Sequence, residues 1–301
     1  MKGFLRKVVL FSVILFSFIF LTEILLRNTE YGQENSKSYL DENAKNIELL
    51  ALGNSLVWSG VNPAFFDYNG YNAANNGQNY KISLELLEKY FDDFDKLKYV
   101  ITQIDYEYLI RPLKPHYLYT IYYGLKSDRL GDYFIFANMP IQNAFIRIID
   151  FYILKKKYRH GEDQPLGNHL TPYIADINDL KRTYIGEESF IDTDETRMLI
   201  YENQKMLSKL IDRLTEKNIK LILISTPMHP IRRDWLNINY HDIVHNTVED
   251  LQNKYPDLIY LDFLYDLDFN ENDFSDAHHI NQFGSEKLSR KIAELFSNYE
   301  L

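Results

Sequence analysis

The chain begins with one long apolar stretch and then changes character. Lys2, Arg6 and Lys7 precede residues 8–22, fifteen uncharged and mostly apolar positions, and the apolar character resumes after Glu23 as Ile24, Leu25 and Leu26. Carried through Leu26, this segment makes a helix of about 28 Å at about 1.5 Å per residue, close to the hydrocarbon thickness of a bilayer, with Glu23 near the headgroups. Residues 28–46 are polar and predict a stalk. Beyond them, apolar runs at 47–53, 99–105, 219–225 and 258–262 read as buried strands. Between the first two runs, Tyr80, Leu84, Leu87 and Phe91 recur at helical steps and predict one apolar helix face. Leu207, Leu210, Ile211 and Leu214 do the same before the third run. Leu288, Ile292, Leu295 and Phe296 follow the fourth, with Asn281 placed to cap that last helix. Strands alternating with helices predict an α/β class, a three-layer α/β/α domain over 47–301 on a mostly parallel sheet. The rhythm breaks between about 110 and 190, a stretch rich in tyrosine that carries Pro112, Pro115, Pro140, Pro165 and Pro172. It reads as an insertion packing over the sheet edge as a lid, with a separate small domain as the rival.

The charge pattern orients the anchor. Basic residues concentrate before the span, while Glu30, Glu34, Asp41 and Glu42 come soon after Arg27, so the positive-inside tendency puts residues 1–27 in the membrane with the N-terminus cytosolic. The body of the protein then lies outside. A removable signal peptide is the alternative, but no small-x-small cleavage site follows the run. A net charge of −10 provides no cationic field for nucleic acid, and none is expected as a partner. The 24 Tyr and 19 Phe suit interfaces and carbohydrate contacts as well as core. With no cysteine, disulfides and thiolate zinc sites are excluded, and about 270 residues remain to build a hydrophobic core.

The first strand ends in Gly53, Asn54 and Ser55, and in an open parallel sheet ligands gather at such carboxyl ends. A serine hydroxyl becomes a nucleophile when a base takes its proton, and the usual base is a histidine steadied by a carboxylate. Near the C-terminus, Asp276 precedes His279 by three residues just before the last helix, an arrangement that brings the carboxylate to one ring nitrogen while the other faces the serine. His278 competes for the base role, with the spacing from Asp276 favouring His279. His229 follows the third strand and is placed either to touch substrate or to hold a loop. Trp58 and Phe65 are placed to wall an acyl pocket or to fill core. His241 and His245 share a helix face, but no third ligand motif accompanies them, so no metal is expected. No cofactor is expected either, because the turn after the first strand lacks the spacing and the lysine of a nucleotide phosphate loop.

Gly53, Asn54 and Ser55 resemble the Gly-Asp-Ser block of the SGNH (GDSL-type) hydrolase family, and Asp276 with His279 resembles its Asp-x-x-His block. Gly77, in the stretch YNAANNGQNY, falls where the family places a glycine whose amide binds the oxyanion. The resemblance covers about 47–105 and 219–298 and implies an SGNH/flavodoxin-like fold. It implies Ser55 as nucleophile, His279 as base, Asp276 as its orienting acid, and the amides of Ser55 and Gly77 as oxyanion donors. Two departures stand out. Asn54 replaces the usual acid, and the third block, Gly-x-Asn-Asp, corresponds to Thr102, Gln103, Ile104 and Asp105, so the oxyanion asparagine is absent. Gln78, Asn76 or Asn79 are candidates for a substitute amide, and Asp105 for binding substrate hydroxyls.

A membrane-anchored chain with an altered third block is similar to the branch that includes acetyltransferases of exported polysaccharides and the teichoic acid D-alanylation protein. That similarity implies an extracytoplasmic serine esterase or O-acyltransferase whose partners are a cell-surface polysaccharide or other O-acylated glycan, the lipid bilayer, and a multi-pass membrane acyltransferase. The rival class is an inactive relative that binds glycan or scaffolds the membrane partner; the missing asparagine favours it, and the retained serine, histidine and aspartate oppose it.

Overall fold

The computed structural model describes residues 2–29, 33–114, 116–155, 162–183 and 192–298. Glu30 of the acidic stretch, and residues 115, 156–161 and 184–191 of the 110–190 segment, lie outside the described residues. The elements in chain order begin with α1 (Lys2–Arg27), α2 (Gln33–Asn43), β1 (Leu49–Leu52), α3 (Ser55–Gly60), β2 (Gly70–Asn72), α4 (Tyr80–Tyr90), β3 (Tyr99–Gln103) and α5 (Tyr106–Leu109). They continue with α6 (Tyr117–Tyr123), α7 (Ile141–Tyr152), the short strands β4 (Glu162–Asp163) and β5 (His169–Leu170), α8 (Ile177–Thr183) and α9 (Asp194–Thr215). The last are β6 (Lys220–Ser225), α10 (Pro230–Arg233), α11 (Ile238–Lys254), β7 (Ile259–Asp262) and α12 (Gln282–Asn298). The chain divides into two compact units, one of Met1–Ser38 with Pro115–Arg159 and one of Tyr39–Lys114 with His160–Leu301.

The second unit holds a five-stranded sheet in the order β2-β1-β3-β6-β7, parallel throughout. Its middle strands are apolar on both sides because helices cover both faces. Leu49, Ala51, Tyr99, Ile101, Ile222 and Ile224 face Val57, Val61, Leu288, Ile292 and Phe296 in one core cluster. Alternation sends Leu50, Leu52, Val100, Leu221 and Leu223 to the opposite face, where α4 packs on α9 and α9 on β6. This is the predicted α/β architecture, with two differences. β2 is a short edge strand of Gly70, Tyr71 and Asn72 that forms no apolar run. On α4 the expected Tyr80 and Leu87 are buried, as is Phe91 just past its end, while Leu84 is half-buried; Ile82, Ser83, Leu86 and Tyr90 are buried as well, so the buried face is broader than the expected one. Asn281 caps α12 as expected, accepting from the N–H groups of Phe283 (2.9 Å) and Gly284 (3.2 Å).

Residues 33–46, expected as a stalk, are mostly helical. Tyr39 stacks on Tyr71 at 4.1 Å, and Asp41 accepts from the Tyr90 hydroxyl at 2.8 Å, so the part from Tyr39 onward is fastened within the sheet-bearing unit. In the other unit α1 is long and apolar enough to cross a membrane. Glu23 is buried against the backbone of Ile135 and Phe136.

Candidate active site

The sheet changes its winding direction between β1 and β3, since β2 was laid down on one side and β6 and β7 follow on the other. Loops after β1 and β3 therefore diverge and leave a crevice at the carboxyl ends. After Leu52 the chain turns through Gly53, whose φ is +150°. A Cβ there would meet Val57 Cγ2 at 2.8 Å and Gln103 Oε1 at 3.1 Å, so only glycine lets α3 start this close to the strand. Asn54 caps α3 by accepting from the Leu56 N–H at 2.8 Å. Ser55 is the first helical residue, and its amide is among those that helix geometry leaves without a partner inside the helix.

The opposite wall comes from the segment between β7 and α12. Phe274 and Ile280 bridge antiparallel, and the Ser275 N–H donates to the His279 carbonyl at 2.8 Å, closing a tight loop. Inside it, one oxygen of Asp276 accepts from the N–H groups of His278 (2.7 Å) and His279 (2.8 Å). The other oxygen lies 2.8 Å from His279 Nδ1, and His279 Nε2 lies 2.8 Å from Ser55 Oγ. With Nδ1–H donating to the carboxylate, Nε2 is the acceptor facing the serine hydroxyl. Burial pushes Asp276 upward, but hydrogen bonds from the His279 ring and from two backbone N–H groups outweigh it, holding the carboxyl well below the usual carboxylate range.

A cavity of about 240 Å³ is lined in part by Leu56 and His278, the chain neighbours of Ser55 and His279. Its lining is mainly apolar, with Leu56, Tyr106, Leu236, Tyr240, Val244 and Leu264. Arg232, Glu107 and Asp105 bring ionisable groups, and His278 adds a ring. Arg232 is buried and pairs with Glu107 on one side and the His278 ring on the other. Burial and the neighbouring Arg232 push His278 down to about 4, so its ring is neutral near pH 7.

The third block acts as a brace. Gln103 is fully buried; its Oε1 accepts from the Asn54 N–H at 3.2 Å and its Nε2 donates to Asp105 at 2.9 Å. Asp105 also caps α5 by accepting from the Tyr108 N–H at 2.8 Å. Burial, reinforced by the charge of Glu107, pushes Asp105 up to about 6 against these two donors. Asp105 lines the cavity, but both its oxygens are engaged within the protein. Ile104 is buried and its side chain donates nothing, while its N–H closes onto the Ile224 carbonyl at 2.9 Å.

The remaining predicted residues divide. Gly77 sits in the loop after β2 with φ +75°, and that loop is tied to the turn before Ser55 by the Asn75 N–H donating to the Gly53 carbonyl at 3.1 Å. Two suggested substitute amides are committed elsewhere: Gln78 Nε2 to Ser83 Oγ (2.9 Å) and Asn79 Nδ2 to the carbonyls of Pro112 and Lys114. Asn76 is exposed. Trp58 does not wall the cavity; it stacks on His169 at 4.3 Å and donates to the Gly167 carbonyl at 3.1 Å. His229 does not reach it either. It is buried, caps α10 by accepting from the Ile231 N–H at 3.2 Å, and stands edge-on to Phe274; burial pushes its ring down. Asp262 at the end of β7 reaches the His241 and His245 pair, one carboxylate oxygen lying 3.1 Å and 2.8 Å from their Nε2 atoms. The sequence lacks a third-ligand motif beside those histidines, and folding supplies a carboxylate from another element. Gln103, Arg232 and Glu107 are the site residues that sequence reasoning misses. Only Gln103 carried a signal, as a polar residue inside an apolar strand.

A protein-family model matches residues 173–300, less than half of the chain, a span that contains Asp276 and His279 but not Ser55. No curated protein matches it. Among solved structures, a protein named as an acylhydrolase from Bacteroides fragilis NCTC 9343 is similar at 11% identity with a TM-score of 0.42, over 90% of this chain and 99% of its own. A GDSL-like lipase from Bacteroides thetaiotaomicron VPI-5482 is similar at 13% identity with a TM-score of 0.41, over 87% of this chain and 98% of its own.

Proposed function

We propose that this chain is a serine esterase or O-acyltransferase of SGNH type, acting outside the cytosolic membrane on an O-acylated glycan. One observation carries the reading: a continuous hydrogen-bonded relay from Asp276 through His279 to the Ser55 hydroxyl, with both links at 2.8 Å. In this reading Ser55 Oγ attacks the ester carbonyl as its proton passes to His279 Nε2, and the carboxylate of Asp276 stabilises the resulting imidazolium. The Ser55 and Gly77 amides receive the negative charge on the former carbonyl oxygen. Collapse of the tetrahedral adduct expels the alcohol, which takes the proton from His279 and leaves an acyl-serine. Water or a sugar hydroxyl, deprotonated by the same imidazole, then releases the acyl group. The apolar cavity beside Leu56 accommodates the acyl moiety, and Arg232 meets a polar substituent.

Ile104 in the place of the oxyanion asparagine favours a second reading, a non-catalytic glycan-binding or scaffold protein beside a multi-pass membrane acyltransferase. Loss of one oxyanion donor costs about 3 to 4 kcal/mol, which slows an enzyme by about 100- to 1,000-fold. Nitrophenyl acetate separates the two: the catalytic reading expects a burst of nitrophenol equal to the enzyme concentration that vanishes in Ser55→Ala. No burst, together with glycan binding unchanged by Ser55→Ala, overturns it in favour of the scaffold.

A further inference from the structure

The unit formed by Met1–Ser38 and Pro115–Arg159 contains a second surface suited to lipid. The last turns of α1 are built into a fold of their own. Glu23, buried near the end of an apolar helix, accepts from the N–H groups of Ile135 (3.0 Å) and Phe136 (2.9 Å) and pairs with Arg27 at 2.8 Å. Those donors offset the heavy cost of a carboxylate at membrane depth. Tyr152 donates to the Leu25 carbonyl at 3.3 Å, and Arg147 to the Thr29 hydroxyl at 2.9 Å. Leu26, Ile135 and Ala144 form a small core with Ile148 packed against it.

One side of α7 closes this core, but its apolar surface continues well beyond it. Ile141, Phe145, Ile146, Ile149 and the adjoining Ile153 are 53%, 37%, 55%, 44% and 70% exposed. At about 100° per residue they share an arc of about 140°, interrupted by Gln142 and Tyr152, while Asn143, Arg147 and Asp150 lie on the other side. Water-soluble surfaces seldom carry so many large apolar side chains together. The patch is continuous with α1. Phe18, itself exposed on the apolar helix, lies 6.0 Å from the ring of Phe145. Nine residues separate Phe18 from Arg27, about 14 Å of helix, so the contact falls inside the leaflet next to Arg27.

Resting on the reading of α1 as a retained membrane span, we propose that α7 is an interfacial helix embedded in the bilayer that α1 crosses. Its occupant is the acyl-chain region of the leaflet, and residues 116–155 are seated in the membrane around the end of α1. A chain without cysteine allows a direct test. Single variants Ile146→Cys, Ile149→Cys, Asn143→Cys and Ile14→Cys of the full chain are labelled with an environment-sensitive fluorophore and reconstituted in phosphatidylcholine vesicles with and without brominated acyl chains. The proposal expects positions 146 and 149 to be quenched by brominated lipid nearly as strongly as position 14, and position 143 to be quenched by aqueous iodide instead. Iodide quenching at 146 and 149 equal to that at 143 overturns it, and protection of 146 and 149 from both quenchers overturns it in favour of a covering protein, a second copy included. If position 14 escapes brominated lipid, the anchor reading fails first, which separates that failure from failure of α7 alone.

Discussion

Replacing Gln103 by leucine tests whether the buried amide holds the turn of Gly53, Asn54 and Ser55 in place. The side chain is fully buried and makes one bond to each side, accepting from the Asn54 N–H at 3.2 Å and donating to the Asp105 carboxylate at 2.9 Å. Leucine has nearly the same volume and removes both. Stranding a buried N–H costs about 1 to 3 kcal/mol, and losing a bond to a charged group about 1.5 to 3. Protonation of Asp105, which already titrates near 6, limits the second cost, so a net destabilisation of about 3 kcal/mol is expected near pH 7. Released from the brace, the segment of Gly53, Asn54 and Ser55 shifts relative to His279, and a misplacement on the order of 1 Å costs about 100-fold in rate. Urea unfolding of the detergent-solubilised protein measures the first quantity and nitrophenyl acetate turnover the second. Gln103→Glu keeps the acceptor for Asn54 but sets a second carboxylate against Asp105, so its stability should recover relative to wild type as pH falls and the pair shares a proton. A leucine variant within about 0.5 kcal/mol of wild type, with unchanged turnover, would refute the bracing role, since that is the scale of a neutral surface change.

Gly53→Ala should reduce both stability and turnover, because the new methyl group meets Val57 Cγ2 at 2.8 Å in a backbone region that suits glycine; equal melting and turnover would deny the constraint. Asp105 titrates near 6 when folded against about 3.9 unfolded, so between these values the folded protein holds a proton the unfolded chain has lost. Stability therefore falls as pH rises through that window, by at most about 3 kcal/mol at about 1.4 kcal/mol per unit, and the loss is complete above 6. Wild type should gain on Asp105→Asn as pH is lowered from neutral towards 4, whereas parallel curves would rule the assignment out. Asp276→Asn should lower kcat by about 10⁴ with little change in KM, as expected when the base loses its orienting anion; a small effect on kcat would mean that His279 is held by other means.

The sheet was legible because parallel strands covered on both faces are short apolar runs, and β1, β3, β6 and β7 each stand out against helical periodicity. β2 was not, since Gly70 and Asn72 flank a single tyrosine and the strand is held by its neighbour's register more than by its own composition. The meeting of Ser55 with the Asp276 and His279 pair was readable from chain order, because a serine after the first strand and a loop before the last helix emerge at the same end of such a sheet. Partners of single polar residues were not readable. Nothing in the sequence says that Trp58 finds His169, that His229 closes a helix, or that Asp262 arrives beside His241 and His245, since each depends on which element becomes a neighbour. The partners of Glu23 were unreadable for the same reason: its donors lie more than a hundred residues away.

In the proposed reading Ser55 is activated through His279 by Asp276. The most direct measurement is the rate and position of labelling by a fluorophosphonate, followed by peptide mapping, in wild type, Ser55→Ala, His279→Ala and Asp276→Asn. A single adduct on Ser55 is expected, absent in the alanine variant at 55 and formed far more slowly in the other two. Labelling at another residue, or labelling of Ser55 at the wild-type rate without the imidazole, would contradict it.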